Sequence, residues 1–163
     1  MEFKPHMKIS EYIRRPDLPV PLDVIDKIQV FHAHPMSYVR HLLGSWITVS
    51  LSSGYRPPEH ENEMGRNQTS EHMFMPLKQA GSELGRGAAD YRCQKKLMAK
   101  LAVLMIEETN YSRFAYYPQV NTPFIHADFR YPNRTRSFFV VEQNVWKVVR
   151  EQDFIQTIKQ QLK

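Results

Sequence analysis

The sequence predicts an α+β fold: one domain in which helices flank a small antiparallel or mixed sheet. The chain has 163 residues, a length that fits one domain with a sizeable core. Hydrophobic residues make up 42% and charged residues 24%, as in globular proteins. Helix-like spacing comes first along the chain, and strand-like alternation interspersed with helices follows. We therefore treat residues 1–163 as a single domain.

Two helices and a β-rich run are predicted at the start of the chain. Residues 22–34 and 36–44 place apolar side chains three and four positions apart, and Gly44 is a suitable stop signal. Residues 45–58 are rich in β-branched and aromatic side chains, which favour a strand that ends in a turn at Gly54.

A long loop and the strongest helix follow. Residues 59–87 are polar, contain glycine and proline and show no sustained period, which predicts a loop with room for one short helix. Such loops in compact domains are usually functional or mobile. Residues 87–92 predict a short strand. Residues 94–108 predict a helix with an apolar stripe of Leu97, Leu101, Leu104 and Met105.

Alternating segments fill the last third of the chain. Apolar and polar residues alternate along 113–118, 124–130 and 137–143, which predicts three strands. Residues 151–163 have the spacing of a terminal amphipathic helix. Together with 87–92, these strands predict the antiparallel or mixed sheet.

Charge and cysteine content limit the classes of function. The formal net charge is +5 and the basic residues are scattered, which favours a polyanionic partner such as nucleic acid, anionic cell wall or a membrane surface, or only a soluble basic surface. Cys93 is the only cysteine, so an intrachain disulfide and a cysteine-based zinc cluster are excluded. We expect no signal peptide and no membrane span, because no apolar stretch is long enough.

Two of the seven histidines have contexts that suggest a site. His72 follows a Ser-marked turn, and His126 lies within an apolar run where an unpaired imidazole is costly. Strand alternation places Phe124, His126 and Asp128 on one face. Asp90 ends the small-residue run "GAAD". Two imidazoles and a carboxylate suit zinc, with a fourth position left for water.

Other histidines have structural or exposed contexts. His32 and His34 lie at a helix end, and His41 lies on a helix. We expect His60 on the outer face of a turn.

Four blocks resemble a known family when they are taken in order: "SSGYRPPEHE", "SEH", "GRGAAD" and "YYPQVNTPFIHAD". The chain resembles the zinc peptidases of bacterial cell-wall metabolism and phage lysis over about residues 20–146. That family includes D-alanyl-D-alanine carboxypeptidases and L,D- or D-glutamyl endopeptidases, and shares its fold with the hedgehog signalling domain.

The resemblance implies a zinc site and a catalytic cation. It implies that His72, Asp90 and His126 hold zinc, whose open position activates water near neutral pH. It also implies that Arg56 faces a substrate carboxylate or the developing oxyanion. Ser70, by contrast, is expected to be a turn residue and Tyr55 a packing residue.

One departure from the family pattern is the wide gap between the first two ligands. Seventeen residues separate His72 from Asp90 here, more than in the family. A loop insertion over 73–84 that shapes or covers the groove is the simplest explanation. If Glu71 or Glu83 serves as ligand instead, the assignment of Asp90 fails.

The other departure concerns the general base. Members of the family carry an acid or a histidine shortly before the last ligand, whereas Pro123 and Phe124 stand here. Asp128, on the strand face of His126, is the first candidate for the base or for a group that orients the imidazole. A zinc-binding but catalytically silent protein is the alternative.

The resemblance thus implies a zinc peptidase that cleaves peptidoglycan stem peptides or their cross-links. Its basic charge would hold it on anionic cell wall, and we expect a phage-type lysin or virion protein that resides in the cytoplasm of the producing cell until lysis. Nucleic acid is not an expected partner, because no basic helix or stacking motif is present. Tyr116, Tyr117 and Trp146 are expected around the groove, with a core position as the favoured alternative for Trp146.

Overall fold

The computed structural model describes residues 5–49, 54–66, 69–76, 84–118, 121–131 and 135–161. Its helices are α1 (Leu22–Lys27), α2 (His34–Leu43), α3 (Pro58–Glu63), α4 (Met98–Glu108) and α5 (Glu151–Gln160). Its strands are β1 (Thr48–Val49), β2 (Ala88–Arg92), β3 (Arg113–Tyr117), β4 (Phe124–Asp128), β5 (Ser137–Glu142) and β6 (Val145–Val149). The predicted α+β class is confirmed.

The strands form one mixed sheet in the order β1-β2-β4-β3-β5-β6. Neighbouring strands are antiparallel except for β3 and β5, which are parallel. Asp90 on β2 pairs with His126 on β4, which pairs in turn with Ala115 on β3. Paired residues point to the same side of a sheet, so this register brings Asp90 and His126 together.

The helices cover one face of the sheet and leave the other for the site. Tyr91 and Ile125 belong to the buried core with Leu101 and Met105 of α4 and Phe154 of α5. Full burial of such a side chain contributes about 1.5–3 kcal/mol. Strand alternation then directs the neighbours of Tyr91 and Ile125 to the opposite face.

The two helices predicted at the start are joined into one helical stretch. A π-helical segment, Ile28–Ala33, connects α1 to α2, and Pro35 lies in the first turn of α2. Proline removes one donor from the hydrogen-bond ladder, and a π bulge shifts the ladder where such a donor is missing. The helix ends at Gly44 in the left-handed conformation, as predicted.

The β run predicted at 45–58 needs correction, whereas the loop with one short helix predicted at 59–87 agrees with the described residues. Of the β run 45–58, the described residues contain only the two-residue β1, and 50–53 lie outside them. The loop 59–87 contains part of α3 and a 3-10 turn, Glu71–Met73, while 77–83 lie outside the described residues. Helix α3 begins at a proline, a residue well suited to the first helical turn.

The sequence patterns did not predict the hairpin formed by β5 and β6. Only the strand at 137–143 was predicted, yet β6 follows after a two-residue turn, Gln143–Asn144. Both turn residues have positive φ, 49° and 63°, which the tight hairpin turn requires. The turn lacks glycine, so it gives a weak sequence signal.

Within the described ranges, every helix falls short of the length and hydrophobicity that crossing a bilayer requires.

Candidate metal centre

His72 is held by two backbone contacts at the end of the Ser-marked turn. The His72 backbone N–H donates to Ser70 Oγ at 3.3 Å, and its imidazole Nδ1 lies 2.9 Å from the Gly54 carbonyl oxygen. Because a carbonyl only accepts, Nδ1 carries the proton and Nε2 has a free lone pair. That Nε2 lies 3.7 Å from Asp90 Oδ1. The expectation that Ser70 is a turn residue is confirmed.

The Gly54 carbonyl is placed by a close backbone approach. A Cβ at Gly54 would collide with the Tyr12 backbone, and the Tyr55 N–H donates to the Tyr12 carbonyl. Tyr55 is buried against the Phe74 ring at a centroid distance of 5.8 Å, so its predicted packing role is also confirmed. These contacts explain the glycine and tyrosine of "SGYR".

Asp90 and His126 meet His72 across the sheet. His126 Nδ1 lies 2.8 Å from Asp90 Oδ1, and one ligand atom from each of the three residues lies within 4.8 Å of the others. All three side chains are buried. Two imidazole nitrogens and one carboxylate oxygen so close together can hold a metal ion.

Asp128 completes a chain of hydrogen bonds behind the metal group. The His126 Nε2–H donates to Asp128 Oδ2 at 2.8 Å. Arg113 Nε donates to the same oxygen at 2.8 Å, and the Arg130 backbone N–H donates to Oδ1 at 2.9 Å. Asp128 is fully buried, so its carboxylate contacts these donors rather than solvent.

The two imidazoles titrate in opposite directions. Burial, together with the charge of Arg56, lowers the pKa of His72 to about 3, although Asp90 opposes this shift. Burial also lowers the pKa of His126, but its hydrogen bonds to Asp128 and Asp90 outweigh that effect and raise it to about 9. Without metal at neutral pH, His72 is therefore neutral and His126 is a cation.

Both carboxylates are ionised in this setting. Burial alone would raise the pKa of Asp90, but His72 and His126 outweigh it and hold the pKa below its ordinary value. The pKa of Asp128 is well below its ordinary value because His126 and Arg113 outweigh its burial. The site thus keeps one anionic oxygen ligand, Asp90, ready for a cation, and a second anion, Asp128, behind the His126 ring.

Glu71, the other carboxylate next to His72, lies outside the three-residue metal group. Its Oε1 accepts from Arg130 Nε at 2.7 Å. Glu83, the second alternative ligand, lies outside the described residues. Within the described residues, the three-residue group accordingly contains Asp90 and not Glu71.

Arg56 lies beside the metal group, on the neighbouring segment. Its backbone N–H donates to the His72 carbonyl at 2.8 Å, and its Nη2 donates to Ser70 Oγ at 3.4 Å. Its Nε lies 3.5 Å from the buried carboxylate of Glu61. Burial lowers the pKa of Arg56, although Glu61 and Asp90 counteract it.

A pocket of about 260 Å³ opens over these groups. Its lining includes all three metal-group residues and Arg56, and adds Arg113, Arg130, Tyr117 and Trp146. The expectation that Tyr117 surrounds a groove is confirmed, whereas Tyr116 is buried on the other face of β3.

For Trp146 the favoured alternative, a core position, is wrong, because the side chain lines the pocket. The ring lies on the site face of β6, 5.5 Å from the His126 ring and 4.7 Å from the guanidinium carbon of Arg113. Between His126 and Trp146 lie Ala115 on β3 and Phe139 on β5, and the Trp146 ring packs against the Phe139 ring at 5.3 Å. The prediction for His60 is also wrong, because its side chain is buried.

Sequence reasoning missed the two arginines of the pocket. Arg130 follows β4 in the same alternation as His126 and Asp128, so period-two spacing could have found it. Arg113 faces Asp128 from the neighbouring strand. Only the strand pairing shows that contact.

Two glycines fix the chain that enters β2. Gly85 and Gly87 have φ of 54° and 88°. A Cβ at Gly85 would overlap the Met75 backbone, and one at Gly87 would overlap the Phe74 ring. Met75 and Phe74 follow the His72 turn, and Gly85 and Gly87 precede β2. These contacts therefore hold the His72 turn against the start of the strand that carries Asp90.

No family model, curated protein or solved structure matches the chain.

Proposed function

We propose that the chain is a zinc-dependent peptidoglycan peptidase that hydrolyses stem-peptide or cross-link amide bonds. The main support is the buried His72, Asp90 and His126 group at an open pocket, with Arg56 beside it. The order of the sequence blocks supports the same class. This proposal includes the peptidase activity, zinc as the metal and membership of the hedgehog-type fold family.

The ligand atoms fit zinc in number and type. His72 would contribute Nε2, Asp90 an oxygen and His126 Nδ1, a mixed nitrogen and oxygen set suited to zinc rather than to magnesium. A bound zinc ion supplies Lewis acidity that polarises a carbonyl and lowers the pKa of water.

Arg56 is the group we assign to the developing negative charge. Its guanidinium makes a long hydrogen bond to Ser70 Oγ at 3.4 Å and an ion pair with Glu61 at 3.5 Å, which keep the cation beside the metal group, where charge would form on the scissile carbonyl oxygen. Its burial strengthens that interaction, because the local dielectric constant is low.

The hydrogen bonds of Asp128 favour orientation over base catalysis. Its carboxylate accepts from His126, Arg113 and the Arg130 backbone, and it is fully buried. In this role Asp128 fixes the His126 ring so that Nδ1 faces the metal position. Among the described residues, the pocket is lined by two carboxylates, Asp90 and Glu71. Because Asp90 belongs to the metal group, we propose Glu71 as the proton acceptor to be tested.

A catalytically silent metal-binding protein, such as a phage-particle component, is the second candidate. The observation that favours it is the engagement of Asp128, which leaves the first candidate base without a free oxygen toward the pocket. The net charge of +5 supports retention on anionic cell wall in both cases.

Metal analysis and a cell-wall digestion assay test the proposal. Purified protein is analysed for zinc and then incubated with peptidoglycan sacculi, and released peptides are identified by mass spectrometry. We expect about one zinc per chain and peptide release by the wild type. His126→Ala should lose both, Glu71→Gln should retain zinc but lose turnover, and the exposed control His34→Ala should behave as wild type.

Each other outcome has a defined meaning. Zinc without peptide release supports the silent protein. Absence of both zinc and peptide release overturns both candidates. Full turnover by Glu71→Gln removes Glu71 as the proton acceptor.

A further inference from the structure

We propose that Arg113 and Arg130 form a carboxylate-binding subsite beside the metal group, which selects peptides with a free carboxyl group. This inference deepens the proposed function, because it names the substrate feature that the same pocket recognises. It concerns residues that are separate from the metal ligands and from Arg56.

Arg130 is fixed on one side and open on the other. Its Nε donates to Glu71 Oε1 at 2.7 Å, and its Nη2 donates to the Thr69 carbonyl at 3.3 Å. Within the described part of the chain, Nη1 makes no hydrogen bond, and the side chain lines the pocket. The guanidinium is thus held in place with donor capacity left for a ligand.

Arg113, on the neighbouring strand β3, is likewise held on one side and open on the other. Its Nε and Nη2 donate to Asp128, and its guanidinium packs over the Trp146 ring at 4.7 Å. Among the described residues, no acceptor contacts its Nη1. Asp128 and Trp146 together fix the plane of this guanidinium at the pocket wall.

The charge balance of the pocket favours an anion. Three arginines line it, Arg56, Arg113 and Arg130, against the two carboxylates of Glu71 and Asp90. Behind the wall, buried Asp128 pairs with Arg113, and buried Glu61 lies between Arg56 and Arg66. With these groups included the charges balance, so a divalent cation in the metal group makes the site net positive. An anionic ligand group is then attracted both by the metal position and by the guanidinium wall.

A carboxylate fits this wall better than other features of a peptide. The planar fork of a guanidinium matches a carboxylate in two parallel hydrogen bonds. Because buried carboxylates already hold both arginines, binding a ligand costs little side-chain entropy. A pocket of about 260 Å³ is small, so it suits the end of a peptide rather than a long internal segment.

Two probes that differ only in the carboxyl group test the subsite. N-acetyl-D-alanine and N-acetyl-D-alaninamide are titrated by calorimetry into zinc-reconstituted wild type, Arg130→Lys, Arg113→Lys and the exposed control Arg150→Gln. Lysine keeps a cation for Glu71 or Asp128, so the fold is preserved while the second fork donor is lost. Melting temperatures are measured in parallel.

We expect the wild type and Arg150→Gln to bind the acid at least about tenfold more tightly than the amide, with the preference reduced about tenfold in each lysine variant. Equal binding of the acid and the amide by the wild type would overturn the subsite. Full acid preference in both folded lysine variants would also overturn it, because the carboxylate would then bind the metal alone.

The titration separates this inference from the peptidase proposal. Arginine-dependent acid preference without peptide release from sacculi supports the subsite and overturns the peptidase. Peptide release without acid preference overturns the subsite alone.

Discussion

His126 Nε2 and Asp128 Oδ2 lie 2.8 Å apart on β4, where a single residue separates the two in sequence. Period-two alternation places both side chains on the site face, and the hydrogen bond turns Nδ1 of His126 toward Asp90. The orientation of the proposed metal ligand therefore depends on a carboxylate that does not line the pocket.

Replacing Asp128 by asparagine should weaken metal binding about 10–100-fold, because the imidazole loses its charged hydrogen-bond partner. Zinc affinity is measured by competition with a chromogenic chelator, and Asp153→Asn on the exposed face of α5 is the control. Unchanged affinity combined with lost turnover would instead assign Asp128 to proton transfer.

Metal binding should release about one proton per chain at pH 7, and that proton comes from His126. The pKa of His126 is raised to about 9, so metal must displace its proton, whereas His72, with a pKa near 3, is already neutral. Zinc affinity should therefore rise about tenfold per pH unit from pH 6.5 to 8.5. Calorimetry in buffers of different ionisation enthalpy counts the protons, with His34→Asn as control. A pH-independent affinity would contradict this assignment.

Zinc should stabilise the fold and magnesium should not. At a free zinc concentration of about 100 times its dissociation constant, the gain is about 2.7 kcal/mol. For a chain of this length, the melting temperature should rise by about 5–10 °C. Differential scanning calorimetry with zinc, magnesium or chelator measures the shift, and His72→Ala should remove the response to zinc. A larger shift with magnesium would point to an oxygen-only site elsewhere.

Gly87→Ala should destabilise the chain far more than Gly65→Ala. Both glycines have positive φ, but a Cβ at Gly87 would overlap the Phe74 ring, whereas nothing lies within 4 Å at Gly65. We expect a loss of about 2–4 kcal/mol for Gly87→Ala from strain and overpacking, and about 1 kcal/mol for Gly65→Ala from strain alone. Urea unfolding measures both values. Equal losses would show that Phe74 moves aside without cost.

The spacing of residues along the chain was sufficient to predict which side chains of β4 face the site and whether most segments form helices or strands. Alternation correctly placed Phe124, His126 and Asp128 together, because side chains of a strand alternate whatever the strand pairs with. The helix predicted at 94–108 is confirmed as a 3-10 turn that continues into α4. The failures at 45–58 and at β6 occurred where the segment was short or the turn lacked glycine.

By itself, the sequence determined the α+β class and nominated the His72, Asp90 and His126 combination, because periodicity and residue chemistry are local properties of the chain. Only the tertiary structure decided that the Gly54 carbonyl fixes the His72 tautomer, that Arg113 donates to Asp128 and that Trp146 lines the pocket. These contacts join residues that are distant in sequence. They arise from strand register and close backbone approach, which no local spacing encodes.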